Sequence, residues 1–331
     1  MNRMAMFNRL IYIATGLALC VVVLGAYVRL SDAGLGCPDW PGCYGTLTVP
    51  QSSDAISHAQ TAFPDKPIEA PKAWKEMIHR YLATTLGLLI LAIFVLGWRE
   101  CKAIKVSPWL STALVFLVVF QGMLGMWTVT LLLKPAIVTA HLMGGMSTLA
   151  ILTWITHRHW GTISASYLPS NNLRLFVRGA LVILLLQIFL GGWTSTNYAA
   201  LACTDFPTCH GAWLPDMDFA NAFHWVRELG VDSTGKPLEL SAFVAIQWTH
   251  RLGALITFLY LGALGLRLQR QPQLSRLASI MLLLLVVQVS LGIANLVLHL
   301  PLVLAVAHNM VAALLLITVV VLNSKITTLG K

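Results

Sequence analysis

Two short strings hold the side chains best suited to chemistry: Glu76-Met77-Ile78-His79-Arg80 and, 171 positions on (79 to 250), Gln247-Trp248-Thr249-His250-Arg251. Each opens a long apolar run. Ionisable groups at membrane depth are costly, which makes each a functional candidate. Glu76 and His79 are three apart and so share a helix face. A carboxylate beside an imidazole can move protons or stabilise developing positive charge. Gln247 keeps the shape and hydrogen bonding of Glu76 and loses its charge. The first string is therefore expected to do chemistry, and the second to hold a permanent redox cofactor. The bland alternative for Glu76 is an interfacial acid paired with Lys72, Lys75 or Arg80.

Two further histidines, His141 and His308, complete the pattern. Each of the four lies one to two turns inside the outer end of an apolar run. At 1.5 Å per residue, His141 and His308 sit about 9 Å along theirs. Paired imidazoles with few other ligands nearby suit the axial positions of a haem iron. Gly25, Gly122, Gly125, Gly191, Gly192 and Gly292 would leave room for a porphyrin face, although close helix packing also selects small residues. Arg80 and Arg251 are candidate propionate contacts through paired N–H donors; the alternative is snorkelling to the outer interface. A di-iron carboxylate site needs several acids at one depth. Only Glu76 is near a membrane end in the first copy, so that site is rejected. His58, His210 and His224 fall in outer loops, His299 at an outer helix end. His157 and His159 flank Arg158 and add to the inner charge.

Composition says what must position these groups. Of 331 residues, 57% are hydrophobic and 11% charged, against about 25% charged in a soluble domain. Mean hydropathy is +0.75. This is an all-α polytopic membrane protein. Eight spans are expected at about 8–30, 75–98, 108–129, 135–157, 174–195, 243–267, 275–298 and 302–323. The first run, after Arg3 and Arg9, is too long for a signal peptide and lacks a cleavage site. Within it, Cys20 reads as a buried apolar cysteine.

Charge orients the spans. Thirteen Lys/Arg (Arg3, Arg9, Arg99, Lys102, Lys105, Arg158, Arg174, Arg178, Arg267, Arg270, Arg276, Lys325, Lys331) and one acid, Glu100, fall on one side; the other 12 acids fall on the side of two long loops. The positive-inside rule puts both termini in the cytoplasm and the long loops, Ser31 to Trp74 and Thr196 to Ala242, outside. The +9 net charge is not gathered into a stripe and gives no nucleic-acid signal. Arg29, Arg80 and Arg251 sit at outer helix ends against the rule, so each needs a local anion or a water-facing position.

The chain also repeats itself. Cys37 and Cys43 match Cys203 and Cys209 at an offset of 166; Gln121 and His141 match Gln288 and His308 at 167. Four helices per copy insert in the same orientation, which predicts tandem four-helix bundles, residues 1–165 and 166–331, about a pseudo-two-fold axis along the membrane normal. The outer cysteines face an oxidising compartment and are expected to pair within each loop. A redox-active dithiol and a metal site with His210 stay open as alternatives. Cys101, on the inner side, has no partner.

The duplicated four-helix half, the Glu76–Arg80 string, the histidines of the fourth, sixth and eighth spans, and the Gly34–Cys43 sequence (Gly-Leu-Gly-Cys-Pro-Asp-Trp-Pro-Gly-Cys) resemble the haem A synthase family, over nearly the whole chain from about Tyr12 to Leu322. The resemblance implies oxidation of the C8 methyl of haem O to a formyl group, giving haem A for terminal oxidases. It implies that His79 and His141 hold the substrate haem, that His250 and His308 ligate a haem b cofactor, and that Glu76 is the catalytic acid. It further implies Cys37–Cys43 and Cys203–Cys209 bridges, a bacterial inner-membrane location, haem O synthase and terminal-oxidase assembly as partners, and an electron donor that the chain does not reveal. Two axial histidines fill a haem iron. Either one leaves, or the reaction departs from the usual haem-oxygenase pattern. Two other functions compete: a di-haem b-type electron carrier reacting with quinone, and a haem transporter.

Overall fold

The computed structural model describes residues 3–100, 107–160 and 170–328. Cys101, Lys102, Lys105, Lys331 and the expected 165/166 boundary lie outside them. In chain order the helices are α1 (Arg3–Leu30), α2 (Ser53–Ala62), α3 (Ala70–Arg99), α4 (Pro108–Thr130), α5 (Pro135–Trp160), α6 (Asn171–Thr196), α7 (Phe219–Ala222), α8 (Leu240–Gln269), α9 (Ser275–Val297) and α10 (Leu302–Thr328). All but α2 and α7 are long and apolar enough to cross a membrane. The protein is a multi-pass, all-helical membrane protein.

Several spans begin or end outside the expected limits. α3 starts at Ala70 and takes in Pro71, Lys72 and Lys75; α10 continues to Thr328. Apolar runs report only the stretch that sits in lipid, while the backbone ladder continues into the polar layer as long as its donors and acceptors stay paired. Proline at the first helical position starts α4 and α5, where its missing N–H is no loss. Ser170 starts α6 by accepting from Leu173 N–H at 3.3 Å.

The eight spans form two rings. α1, α3, α4 and α5 pack neighbour to neighbour and close through α1 and α5; α6, α8, α9 and α10 repeat this and close through α6 and α10. α3 thus stands across its ring from α5, and α8 from α10. The rings join through α5 with α10, α1 with α10, and α5 with α6. Met146, Leu149 and Leu152 of α5 and Leu315, Leu316 and Val319 of α10 belong to the shared apolar core.

Matched details recur at the repeat spacing. In the α4–α5 turn Leu132 and Leu133 have positive φ, as do His299 and Leu300 in the α9–α10 turn. Leu133 N–H donates to Thr128 O at 2.9 Å and Leu300 N–H to Asn295 O at 2.6 Å. Equivalent positions also touch one another. Arg29 donates to Ser195 O at 3.1 Å, and Tyr198 O–H to Asp32 at 3.3 Å, both 166 residues apart. His157 Nδ1 lies 3.0 Å from Ser324 Oγ, 167 residues away.

That last contact corrects the reading of His157 as a mere addition to the inner charge: it bridges the two rings, α5 to α10. Cys20 is likewise corrected. It is free but exposed, on the outward surface of α1, where an apolar thiol suits lipid as well as it suits a core.

Candidate functional site

Both cysteine pairs are disulfide-bonded, Cys37 to Cys43 and Cys203 to Cys209. Within each loop an aspartate organises the turn after the bridge. Asp39 accepts from the N–H groups of Tyr44 and Gly45 at 2.6 and 2.8 Å. Asp205 accepts from His210 and Gly211 at 2.6 and 3.0 Å and from the Thr208 hydroxyl at 2.6 Å. The Thr208 hydroxyl, together with the Gly211 and His210 amides, holds the Asp205 carboxyl below the usual carboxylate range.

The Glu76–Arg80 and Gln247–Arg251 segments hold these loops. Glu76 is buried. One of its oxygens accepts the Cys37 N–H at 3.0 Å, and the other pairs with Arg80. Arg80 also donates to Asp39 O at 3.0 Å, Pro41 O at 3.2 Å and Gly42 O. In the second ring Gln247 Oε1 accepts the Cys203 N–H, and its Nε2 donates to Ala200 O. Arg251 donates to Thr208 O at 2.8 Å and Cys203 O at 3.2 Å. The loop comes this close because residue 36 has no side chain: a Cβ there would lie 2.7 Å from Ala73 N. The arginines at outer helix ends thus find carbonyl dipoles. Of the cations expected near Glu76, Lys72 pairs with Glu69 at 2.9 Å and Lys75 lies over the Tyr27 ring. Arg29 reaches the Tyr198 hydroxyl at 2.6 Å and stacks on its ring.

Across each ring from one another stand the four histidines: His79 on α3 and His141 on α5, His250 on α8 and His308 on α10. Each imidazole packs on a glycine of a neighbouring helix. A Cβ on Gly25, Gly125, Gly191 or Gly292 would lie 2.9, 3.5, 3.1 or 3.2 Å from the Cε1 of His79, His141, His250 and His308 respectively. These glycines therefore make room for the imidazole rings themselves. Of the other two, Gly122 has open space before it, whereas Gly192 packs on Leu142 and Thr139 at the junction of the rings.

The donor set fits a haem. Nδ1 of His79, His141 and His308 is buried with no hydrogen-bond partner, yet all four histidines are only half-buried, so part of each remains open. Orphaned buried nitrogens are expensive unless something binds the ring. Among the described residues no three His, Cys, Asp or Glu side chains gather as a metal site; the histidines come in twos, on opposite helices of each ring.

Glutamines around the histidines went unread as contacts in the sequence. Gln121 Nε2 donates to His141 O at 2.9 Å, and Gln288 Nε2 lies 3.2 Å from His308 Nε2. Gln187 Nε2 is 3.0 Å from His250 Nδ1 and 3.1 Å from His250 O. An amide inside an apolar span was the available signal for Gln187. Arg227, also missed, is buried in the second outer loop, donates to Asn197 and lies over the Trp193 ring.

A profile of the cytochrome oxidase assembly protein family matches residues 8–320. The heme A synthase of Shewanella oneidensis is 48% identical over 312 residues, covering 92% of each chain. Those of Caulobacter sp. (strain K31) and Shouchella clausii are 27% identical over 330 residues (93% of this chain, 92% of the relative) and 26% over 285 (83% and 82%). With a histidine pair in each ring beneath a disulfide-bonded loop, and a family match over residues 8–320, this chain belongs to the cytochrome oxidase assembly protein family.

Proposed function

We propose that this protein is a haem A synthase, a membrane oxidoreductase that converts the C8 methyl of haem O to a formyl group. The observation that carries the reading is the pair of cross-ring imidazoles, duplicated in both halves with orphaned ring nitrogens, in a chain 48% identical to a heme A synthase. The first ring, His79 with His141, takes haem O as substrate. The second, His250 with His308, holds haem b as a resident cofactor. When bound, the cofactor supplies one-electron redox chemistry.

The chain's own residues bind, orient and enclose. Helix-borne imidazoles on glycine cradles fix where each iron goes. Apolar spans keep water from the macrocycle. Glu76 seats the first loop over its ring and places a carboxylate beside His79, where it can hold a proton near the substrate. Arg80 and Arg251 hold the loops through their carbonyls and are the residues that would pair with haem propionates. The enzyme sits in the bacterial inner membrane with both termini cytoplasmic and both loops outside. Haem O synthase, terminal-oxidase assembly and a separate electron donor are its functional neighbours.

The test is pigment chemistry. Cells supplying haem O and expressing this chain should accumulate haem A, read by pyridine haemochrome spectra and mass spectrometry. His250→Ala or His308→Ala should abolish the tightly bound b-type haem. Recovery of only unmodified haem from folded protein would favour an electron carrier or a transporter and sink the synthase reading.

A further inference from the structure

The two histidine pairs differ in what holds their rings. In the second half His250 Nδ1 is within 3.0 Å of the Gln187 amide, and His308 Nε2 within 3.2 Å of the Gln288 amide. In the first half neither ring has a glutamine side chain on it: Nδ1 of His79 and of His141 are unpartnered, as is Nδ1 of His308, so His250 alone of the four has its Nδ1 held. Substitutions at matching positions account for this. Gln187 lies four residues before Gly191, the cradle of His250; four residues before Gly25, the cradle of His79, stands Val21. Gln187 has its berth because residue 253 is glycine, where a Cβ would meet the Gln187 amide oxygen; the matching first-half residue is Leu82. Gln121 tucks against Gly144 and bonds a backbone carbonyl. In the second half Val311 stands at the place of Gly144, and Gln288 turns to the ring.

A hydrogen bond to the far nitrogen of a ligating histidine fixes ring orientation and raises ligand basicity, and losing it typically costs about 10–100-fold in affinity. A ring without that tie turns more freely. The two proposed cargoes need these opposite properties. A resident cofactor stays through every turnover, whereas a substrate enters and a product leaves.

We propose that Gln187 is the positioning residue that makes His250 a permanent haem ligand, and that Val21 at the matching place leaves His79 the ligand that releases. The inference rests on the assignment of these histidines as haem ligands. It resolves the choice left by a bis-histidine substrate site in favour of a departing histidine, with His79 in that part by comparison with His250.

Purified full-length protein provides the test. Gln187→Val should speed transfer of the second-half haem to excess apomyoglobin about 10–100-fold, and Gln187→Glu, which sets a carboxylate acceptor opposite the His250 Nδ1–H in place of the amide, should keep the loss slow. In the reverse direction, Val21→Gln with Leu82→Gly builds the missing tie and should slow carbon monoxide binding to ferrous haem in the first half at least about tenfold. Parent-like haem loss from Gln187→Val, in protein whose His250→Ala variant does lose the haem, overturns the inference and spares the ligand assignment. Haem retained by His250→Ala overturns the assignment itself. Should Gln187→Val fail to fold, the carbon monoxide measurement decides alone, and unchanged binding refutes the role of position 21.

Discussion

Glu76 and Gln247 do the same structural job with different charge. Each accepts the N–H of the first cysteine of its loop, Cys37 or Cys203. Each is followed by an arginine that gathers the loop's carbonyls. Seating a disulfide loop on a helix therefore takes one side-chain acceptor, neutral or charged. The carboxylate at position 76 exceeds what the clamp requires. Arg80 compensates it electrostatically at close range, so the first half keeps an ion pair, buried on its acidic side, where the second half keeps an amide. Buried pairs of this kind rarely add stability over a neutral replacement, which turns attention to function.

Making the two halves alike at this position separates the clamp from the charge. Glu76→Gln should leave the first loop seated, as Gln247 leaves the second, with disulfide content and thermal stability near the parent's. Haem A formation should nevertheless fall by about 100-fold or more, the scale of a lost acid–base group. Glu76→Ala should lose both the seat and turnover. A Gln variant that makes haem A at the parent rate would reduce Glu76 to a clamp.

A smaller effect is expected at the histidine cradles. Gly191→Ala sets a methyl 3.1 Å from a His250 ring that Gln187 also holds, whereas Gly125→Ala sets one 3.5 Å from His141, an ordinary contact. The first should cost about 1–3 kcal/mol of stability, the range of core overpacking, and reduce bound haem b. The second should behave like the parent in thermal unfolding and pigment content. Equal behaviour would mean that the cradles do not set ring position.

The smallest effect belongs to the loop aspartates. Hydrogen bonding depresses the Asp205 carboxyl, so its contribution is complete above the ordinary carboxylate range and is lost only as pH falls through the depressed folded value. Asp205→Asn should leave haem content unchanged and speed amide exchange at His210 and Gly211 at neutral pH. Below the folded value parent and variant should converge.

What was legible in the sequence was whatever repeats or is apolar. Eight hydrophobic runs gave the spans, and charge asymmetry gave an expected topology. Duplicated histidines and cysteines gave candidate positions and pairings. The contacts that distinguish the halves stayed hidden for a physical reason: they depend on absences. Gly253 matters because a side chain there would displace Gln187, and Val21 because it makes no hydrogen bond; neither draws notice in a chain of this composition. Arg80 and Arg251 could not be assigned, since a guanidinium at a helix mouth serves propionates and backbone carbonyls equally well. The short helices α2 and α7 were invisible because a one- to three-turn helix in a polar loop carries almost no periodic signal.

The contacts of Arg29 with Ser195, Tyr198 with Asp32 and His157 with Ser324 join equivalent positions of the two halves. Equivalent positions of a repeat meet only where its two copies adjoin. In an ancestral pair of identical subunits each of these residues would have met its own copy, and an arginine or an aspartate there would have faced a like charge. A single chain carries no such constraint, and here arginine meets serine and aspartate meets tyrosine. The same freedom lets position 76 differ from position 247. In a dimer of identical chains, any change that adapted one haem site would have altered the other as well.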